Sequence, residues 1–214
     1  MLQTQTVKEE TLALLKKLMS DEKLGRFQLV GGTALSLHLG HRISIDIDLF
    51  SQEIFEVDEL KNYLEETYCF ETIRISDITL IGSINSIKVD LIRYNYPLVE
   101  SVTNFDGIRI YSIADIAAMK LIAMSQSGNR LKDFVDIAFL SMRMSVEDML
   151  NAFKKKFPKT SVMTAVRGLT FFDDIDFSVQ IDLISGKFKW KTVENRIKEM
   201  VKYSDKIFPP MNFL

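Results

Sequence analysis

The sequence predicts an α+β fold, in which a mixed β-sheet flanked by helices is followed by a helical C-terminal half. Short apolar segments of strand type alternate with helical segments through about residue 111, whereas later segments mostly have helical periodicity. The 214 residues are enough for a medium-sized core with a helical appendage. We therefore expect residues 1–111 to form the core with the mixed sheet, and residues 112–214 to form a mainly helical region packed on it.

The composition is that of an ordinary soluble globular protein, with 47% hydrophobic and 26% charged residues. A net charge of −2 argues against a broadly basic surface that coats nucleic acid. No apolar run approaches the roughly 18 residues that span a membrane, and the single cysteine, Cys69, is typical of a reducing compartment. We expect a cytoplasmic protein without a membrane partner, in which Cys69 is a small core residue.

The predicted core elements are bounded by glycines and polar turn residues. Apolar positions at helical spacing indicate an opening helix, and strict alternation of apolar and polar residues indicates a strand from Arg42 to Leu49. Asp58 can cap the predicted helix 58–67, and Gly82 to Asn85 is the expected turn between the strands 77–82 and 86–93. The predicted elements are, in order, helix 3–19, strand 27–30, helix 34–39, strand 42–49, helix 58–67 and strands 69–75, 77–82, 86–93 and 108–111.

The C-terminal half begins with a helix signal. Ser112 followed by Asp115 resembles a capping box, and Gly128 separates the first helix from the second. Basic clusters near 154–159 and 187–198 are interpreted as solvated helix faces, and Trp190 as a core residue together with the Phe171-Phe172 pair. The predicted helices are 113–124, 131–142, 145–156, 160–168 and 191–206.

A glycine pair separates the first strand from the second helix. In this strand–turn–helix order, backbone N–H groups and the positive end of the helix can point at an anion. Gly31 and Gly32 permit close approach of the backbone, and Thr33 adds a hydroxyl and can cap the helix. We therefore expect these three residues to cradle phosphate.

The strongest chemical signal is the segment Arg42-Ile-Ser-Ile-Asp-Ile-Asp-Leu49. In a strand, Asp46 and Asp48 share one face and lie roughly 7 Å apart. Unpaired like charges so placed repel, and Mg²⁺, which prefers carboxylate oxygens, would remove that repulsion. Arg42 and Ser44 share the polar face, and the residues expected to face the core are Ile43, Ile45, Ile47 and Leu49.

A second alternating strand, Ile87 to Leu91, carries Asp90. If it neighbours the first strand, three carboxylates can hold two Mg²⁺ ions, an arrangement that suits in-line displacement at phosphorus. The structural alternative is an amphipathic edge strand whose polar face is acidic. His38 and His41 lack a cysteine partner and are assigned packing or loop roles rather than zinc binding.

These segments resemble the four ordered motifs of the AbiEii/AbiGii-type nucleotidyltransferases, which are toxins of type IV toxin–antitoxin and abortive-infection systems in the polymerase-β-like superfamily. Gly-Gly-Thr stands where many members of that superfamily have Gly-Ser, and threonine keeps the hydroxyl. The matching segments are 31–48, which contains both the glycines and the first two aspartates, 88–90, 115–120 with the pattern Asp-x-x-Ala-x-Lys, and 130–140 with Arg-x-x-Lys-Asp-x-x-Asp.

The resemblance implies residue roles. Asp46, Asp48 and Asp90 would be the metal ligands for two Mg²⁺ ions. Lys120, at the margin of its helix, would contact the triphosphate, and Lys132 and Asp133 would complete the site. The residues expected to bind the nucleotide are Gly31, Gly32, Thr33, Arg42, Ser44, Lys120, Arg130 and Asp136, of which Asp136 can instead orient Lys132 or Arg130.

The leading hypothesis is therefore a Mg²⁺-dependent nucleotidyltransferase that transfers a nucleotidyl group from a nucleoside triphosphate. The resemblance implies an RNA acceptor such as tRNA, or a protein acceptor, and a cognate antitoxin as partner. Two alternatives stay open: a small-molecule nucleotidyltransferase of the antibiotic-modifying kind, and a nucleotide-binding module without catalysis.

Overall fold

A computed structural model describes residues 1–213 and contains, within them, one seven-stranded mixed sheet and eight α-helices. Every strand lies before Tyr111 and regular structure after it is helical, which confirms the predicted α+β order. The division into two regions at residue 111 stays a prediction. The strands are β1 Gln28–Val30, β2 Ile47–Ser51, β3 Glu71–Ser76, β4 Thr79–Ile84, β5 Ile87–Arg93, β6 Thr103–Phe105 and β7 Ile108–Ile110.

The helices begin and end within a few residues of their predicted bounds, apart from the first and last, which are shorter. Capping contributes to this agreement, since the Ser112 and Ser145 hydroxyls accept hydrogen bonds from the first turns of their helices. None of the helices in residues 1–213 is long and apolar enough to cross a membrane. The helices are α1 Glu9–Ser20, α2 Gly31–Leu39, α3 Val57–Tyr68, α4 Ile113–Gln126, α5 Leu131–Leu140, α6 Val146–Lys156, α7 Val162–Thr170 and α8 Trp190–Lys202.

Strand β2 occupies the centre of the sheet, whose order is β3-β4-β5-β2-β1-β7-β6. It pairs in parallel with β5 and antiparallel with β1. Its apolar residues Ile47 and Leu49 are at most 1% exposed. The alternate residues Asp48 and Phe50 are half-buried, so one face of β2 packs in the core and the other is partly open.

Helix α4 packs beside the sheet and contacts α2, α5, α6 and α7. Its small and apolar residues Ile116, Ala117 and Leu121 are fully buried, which allows the neighbouring helices to approach closely. Helix α5 lies next to it, with Phe134 and Ile137 also fully buried. The helical half is therefore joined to the sheet through α2, which contacts α4 and α5 as well as β1 and β2.

The predicted strand from Arg42 to Leu49 is only partly correct, because β2 begins at Ile47. The residues before it pair with distant segments: Ile43 N–H donates to the Asp182 carbonyl, and Ser44 N–H donates to the Thr6 carbonyl. Ile45 is 47% exposed, so the expectation that it faces the core is wrong. Pairing with these segments, rather than alternation, decides which side chains of this stretch are buried.

Asp58 does not cap α3, whose N-cap is Glu56, Phe171 is exposed instead of lying in the core, and Lys156 of the first basic cluster is fully buried instead of solvated.

Two predictions near β4 and α3 are also wrong. The turn between β4 and β5 is Asn85-Ser86, both at positive φ, while Gly82 lies within β4, where a Cβ would come 2.3 Å from the Phe70 ring. Cys69 is exposed at the left-handed C-terminus of α3. Its neighbours Tyr68 and Phe70 are buried, and the turn between them directs the thiol outward.

Candidate active site

The aspartates of β2 and β5 lie side by side. The two strands are parallel neighbours, as predicted, and the Cα atoms of Asp48 and Asp90 are direct partners in the register. Residues at the same level of adjacent strands project to the same face. Asp46 stands one residue before β2 and is half-buried, like Asp48, whereas Asp90 is buried. Asp48 and Asp90 therefore project from the same face of two central strands, and Asp46 precedes Asp48 by two residues.

Positive charge compensates this group of carboxylates only in part. Burial and the negative charges of Asp90 and Asp46 raise the pKa of Asp48 to about 6. Oδ1 of Asp90 is buried and has no hydrogen-bond partner. Lys88 Nζ donates to Asp90 Oδ2 at 2.6 Å. Although burial opposes its charge, the hydrogen bond to Asp90 and the nearby negative charges raise the pKa of Lys88.

The chemistry of this group fits a hard divalent cation. Carboxylate oxygens are the ligands that Mg²⁺ prefers, and an unpaired buried oxygen on Asp90 is a ligand atom without a partner. In the present geometry, no group of three His, Cys, Asp or Glu side chains within residues 1–213 is arranged to hold a metal ion. The assignment of Asp46, Asp48 and Asp90 as metal ligands therefore stays a prediction.

The glycine turn lies directly against Asp48. Gly31 starts α2 at a φ of 72°, and a Cβ there would come 2.1 Å from Asp48 Oδ2. At Gly32 a Cβ would come 2.5 Å from an Arg42 guanidinium nitrogen. Only glycine permits both close approaches, and the result is that the N-terminus of α2 stands beside the carboxylates.

Thr33 does not cap α2, which contradicts the prediction: the N-cap is Val30, without a side-chain hydrogen bond. The Thr33 side chain is instead fully buried. Its hydroxyl donates to the carbonyl of Asp46 and lies 2.9 Å from the Ser44 hydroxyl. Thr33 and Ser44 therefore link α2 to the segment that carries Asp46.

A second group of charged residues, which we call the ion-pair cluster, lies between α4, α5 and residues 41–42. Asp136 accepts from Arg42 Nε at 2.7 Å and Nη2 at 2.9 Å. Lys120 Nζ lies 2.6 Å from Asp133 Oδ1 and 2.7 Å from Asp136 Oδ2. Burial opposes the ionised form of Asp136, but Arg42 and Lys120 hold its pKa well below 3.8.

The ion-pair cluster changes the expected position of Lys120. The prediction that it sits at the helix margin is wrong, because Lys120 is 7% exposed and paired with both carboxylates. The reason is that Asp133 and Asp136 share the face of α5 that meets α4. His41 completes the cluster, with Nε2 2.9 Å from Asp136 Oδ1, and burial lowers the pKa of the imidazole.

An open cleft of about 240 Å³ lies between the glycine turn, β2 and the first two helices of the C-terminal half. The Arg130 side chain is 64% exposed there, with Nε 3.7 Å from Asp133 Oδ2, an oxygen without a hydrogen-bond partner. The cleft is lined by Val30, Gly31, Gly32, Asp48, Phe50, Tyr94, Ile116, Met119, Lys120, Ile122, Ala123, Gln126, Arg130 and Asp133.

Predicted site residues thus fall into two sets. Those that line the cleft are Gly31, Gly32, Asp48, Lys120, Arg130 and Asp133, and those outside its lining are Thr33, Arg42, Ser44, Asp46, Asp90, Lys132 and Asp136. Lys132 is half-buried on α5, and its role stays a prediction. Sequence reasoning missed Phe50 and Tyr94, although Phe50 follows Asp48 by two residues on the same strand face.

Comparison with known proteins identifies relatives over most of the chain. The family described as "Nucleotidyl transferase AbiEii toxin, Type IV TA system" matches residues 13–103 and 81–173, which together cover more than half of the chain. An uncharacterized protein of Aquifex aeolicus (strain VF5) is 32% identical over 202 residues, covering 92% of this chain and 96% of that protein.

Solved structures share the fold. JHP933 from Helicobacter pylori superposes with a TM-score of 0.55 at 17% identity, covering 93% of both chains. MenT4, a nucleotidyltransferase toxin from Mycobacterium tuberculosis, superposes with a TM-score of 0.55 at 14% identity, covering 90% of this chain and 84% of that one. The fold is therefore that of the polymerase-β-like nucleotidyltransferases. With the family match over residues 13–173, the chain belongs to the AbiEii nucleotidyltransferase toxin family of type IV toxin–antitoxin systems and is itself a nucleotidyltransferase.

Proposed function

We propose that this nucleotidyltransferase depends on Mg²⁺ held by Asp46, Asp48 and Asp90, and that it transfers a nucleotidyl group to a macromolecular acceptor in the cytoplasm. RNA such as tRNA, or a protein side chain, is the acceptor implied by the resemblance. A cognate antitoxin is the partner expected from membership of a type IV toxin–antitoxin family.

The observation that carries the proposal is the pair Asp48–Asp90 beside the glycine turn, which Lys88 compensates only in part. The two residues are direct partners on parallel strands, and their mutual repulsion contributes to the raised pKa of Asp48. Folding alone gives no reason to place two carboxylates together, whereas binding of a divalent cation removes the repulsion.

The residues around the cleft have complementary tasks in such a reaction. The acceptor oxygen attacks the α-phosphorus of the nucleotide, and the bond to pyrophosphate breaks. Backbone N–H groups at the start of α2 can bind phosphate oxygens, and the exposed Arg130 can neutralise their charge. Mg²⁺, when bound, supplies further neutralisation of the phosphates and orients them for in-line displacement.

Replacing one of the proposed ligands tests the metal site. We expect Asp46→Asn to slow transfer from an α-labelled nucleoside triphosphate by about 100-fold or more. This is the effect found when a group that stabilises the charge of the transition state is lost. The matched control is Asp77→Asn, an exposed aspartate in the turn between β3 and β4. Thermal unfolding of both variants establishes that they fold. Transfer by Asp46→Asn at the rate of the control would refute the site.

The acceptor is identified by where the label goes. The protein is incubated with Mg²⁺, each labelled nucleoside triphosphate, and either total cellular RNA, a protein extract or an aminoglycoside. We expect label on RNA or on protein. Label on the aminoglycoside alone would support the small-molecule alternative, and tight nucleotide binding without any transfer would support the non-catalytic module.

A further inference from the structure

The cleft beside the glycine turn is lined by two chemically different sets of residues. The charged set, which we call the charged end, contains Asp48, Lys120, Arg130 and Asp133, together with the backbone of the glycine turn. The apolar set, which we call the aromatic end, contains Phe50, Tyr94, Ile116 and Met119. A ligand that matches both ends has a charged part and a flat apolar part. Nothing in the proposed phosphate chemistry uses the aromatic end.

The aromatic end lies at a distance from the carboxylates set by the strand. Phe50 follows Asp48 by two residues on β2, and both line the cleft, so Phe50 is displaced by about 7 Å along the strand. Tyr94 comes directly after β5, with its ring centroid 4.9 Å from that of Phe50 and the two planes tilted by 43°. The two rings are half-buried and form one wall of the cleft.

From this arrangement we infer that Phe50 and Tyr94 bind the nucleobase of the incoming nucleoside triphosphate by stacking, while its phosphates lie at the glycine turn. The inference rests on the proposed function, because it takes the nucleotide as the occupant of the cleft. Every nucleobase has a flat π-face, and base–aromatic stacking strengthens binding without requiring a particular base.

Tyr94 is held in place by residues that lie outside the lining of the cleft. Its ring lies 4.7 Å from the ring of Tyr96, and Lys156 Nζ lies 5.8 Å from the Tyr94 centroid. Lys156 is fully buried and pairs with Asp115 at 2.7 Å. A ring fixed before the ligand arrives loses little conformational entropy on stacking.

The ion pair between Asp115 and Lys156 also holds the backbone of residues 97–100, which follow Tyr94. Asp115 accepts hydrogen bonds from the backbone N–H groups of Val99 at 2.9 Å and Glu100 at 3.1 Å. Lys156 donates to the Pro97 carbonyl at 3.2 Å. Asp115 and Lys156 lie outside the lining of the cleft, and this network gives them a structural reason to be buried as charges.

The aromatic end contacts the face of the base by stacking and forms few hydrogen bonds with the edge of the base. Phe50, Ile116 and Met119 carry no group that forms strong hydrogen bonds with a base edge, which leaves the Tyr94 hydroxyl as the polar atom among these four side chains. We therefore expect all four nucleoside triphosphates to bind, with purines bound more tightly than pyrimidines because their rings are larger.

The test compares a ligand that has a base with one that has none. Binding of ATP and of inorganic tripolyphosphate is measured by calorimetry in MgCl₂ for the wild type, Tyr94→Leu and Tyr94→Phe. We expect Tyr94→Leu to weaken ATP binding by about 5- to 150-fold, the range found on removing a stacking ring. Tripolyphosphate binding should be unchanged in this variant, and Tyr94→Phe should bind ATP like the wild type because it keeps the ring.

A second variant and a control complete the test. Phe50→Leu is expected to behave as Tyr94→Leu, and Tyr203→Leu, at a tyrosine that is 47% exposed, is expected to bind both ligands normally. Equal weakening of ATP and tripolyphosphate, or no weakening of either, would overturn the inference while leaving the proposed function intact. A folded wild type that binds neither ligand would overturn both.

Discussion

The molecule contains two groups of acidic residues with opposite shifts in pKa. In the strand group, Asp48 and Asp90 stand side by side and the pKa of Asp48 is raised to about 6. In the ion-pair cluster, Asp136 is fully buried but bound to Arg42 and Lys120, and its pKa is held well below 3.8.

The difference separates a functional role from a structural one. Buried charges that are fully paired and hydrogen-bonded join the elements that carry them, and Asp136 joins α5 to α4 and to the segment before β2. Charges left uncompensated destabilise the protein until a ligand arrives. In the proposed function, the strand group is the part of the molecule that a bound cation would stabilise, whereas the ion-pair cluster holds the surrounding helices together.

The largest expected effect comes from breaking the ion-pair cluster. Asp136→Ala leaves Arg42 and Lys120 buried without this partner, and we expect the free energy of unfolding to fall by about 3–5 kcal/mol. Urea denaturation at pH 7.5 measures it. The control is Lys61→Ala, which removes a partly exposed i,i+4 pair with Glu65 and should leave stability nearly unchanged. Similar stability of the two variants would show that the cluster is not structural.

The opposite sign is expected in the strand group, at Asp48. The pKa of its carboxyl is about 6 in the folded state against 3.8 as the reference, so the ionised form destabilises the fold by up to about 3 kcal/mol above pH 6. Without Mg²⁺, Asp48→Asn should therefore raise the melting temperature at pH 7.5. The gain should shrink as the pH falls from 6 to 3.8, because the wild-type side chain becomes protonated in the folded state.

Added Mg²⁺ sharpens this measurement. A cation that binds the folded state alone raises its stability, so the wild type should gain more from Mg²⁺ than Asp48→Asn does. The two groups should also differ in how acid changes the free energy of unfolding. The pKa of Asp136 is lower in the folded state than its reference of 3.8, so Asp136 contributes stability above pH 3.8. That stability is lost only as the pH falls through the folded-state pKa. Destabilisation by Asp48→Asn at pH 7.5 would contradict the comparison.

The smallest effect on stability is expected at Arg130, which lines the cleft beside Asp133 of the ion-pair cluster. Its side chain is 64% exposed, and Arg130→Ala should change the free energy of unfolding by less than about 0.5 kcal/mol. Binding of a nucleoside triphosphate should weaken by about tenfold or more, as for a lost charged hydrogen bond. Arg143→Ala, at an exposed arginine after α5, is the control, and equal affinities of the two variants would exclude a phosphate contact by Arg130.

The two groups also differ in how well they could be predicted. The proximity of Asp48 and Asp90 follows from two alternating strands, once the strands are assumed to be neighbours. Alternation is a local property with a period of two residues, and it is legible without any knowledge of the rest of the fold. The position of the glycine turn before the aspartates is local in the same sense.

The ion-pair cluster could not be predicted in this way. Arg42 and Asp136 are separated by 94 residues, and each has an ordinary local explanation, as a strand residue with a polar face and as a surface helix residue. Lys120 was expected at the margin of its helix, yet it is buried and paired with two carboxylates of α5, and its contact with the triphosphate stays a prediction. Which charged side chains meet depends on how α4 and α5 pack, and periodicity does not contain that information.

The amino-acid sequence by itself determined the order of the helices and of six of the seven strands, the motif spacing and the strand faces that carry carboxylates, since these depend on residues a few positions apart; β6 was not predicted. The tertiary structure decided which charges are paired, that Ile45 and Cys69 are exposed, and that Phe50 and Tyr94 line the cleft. The physical reason is that burial and pKa depend on which segment covers a side chain, and that segment is usually distant in the chain.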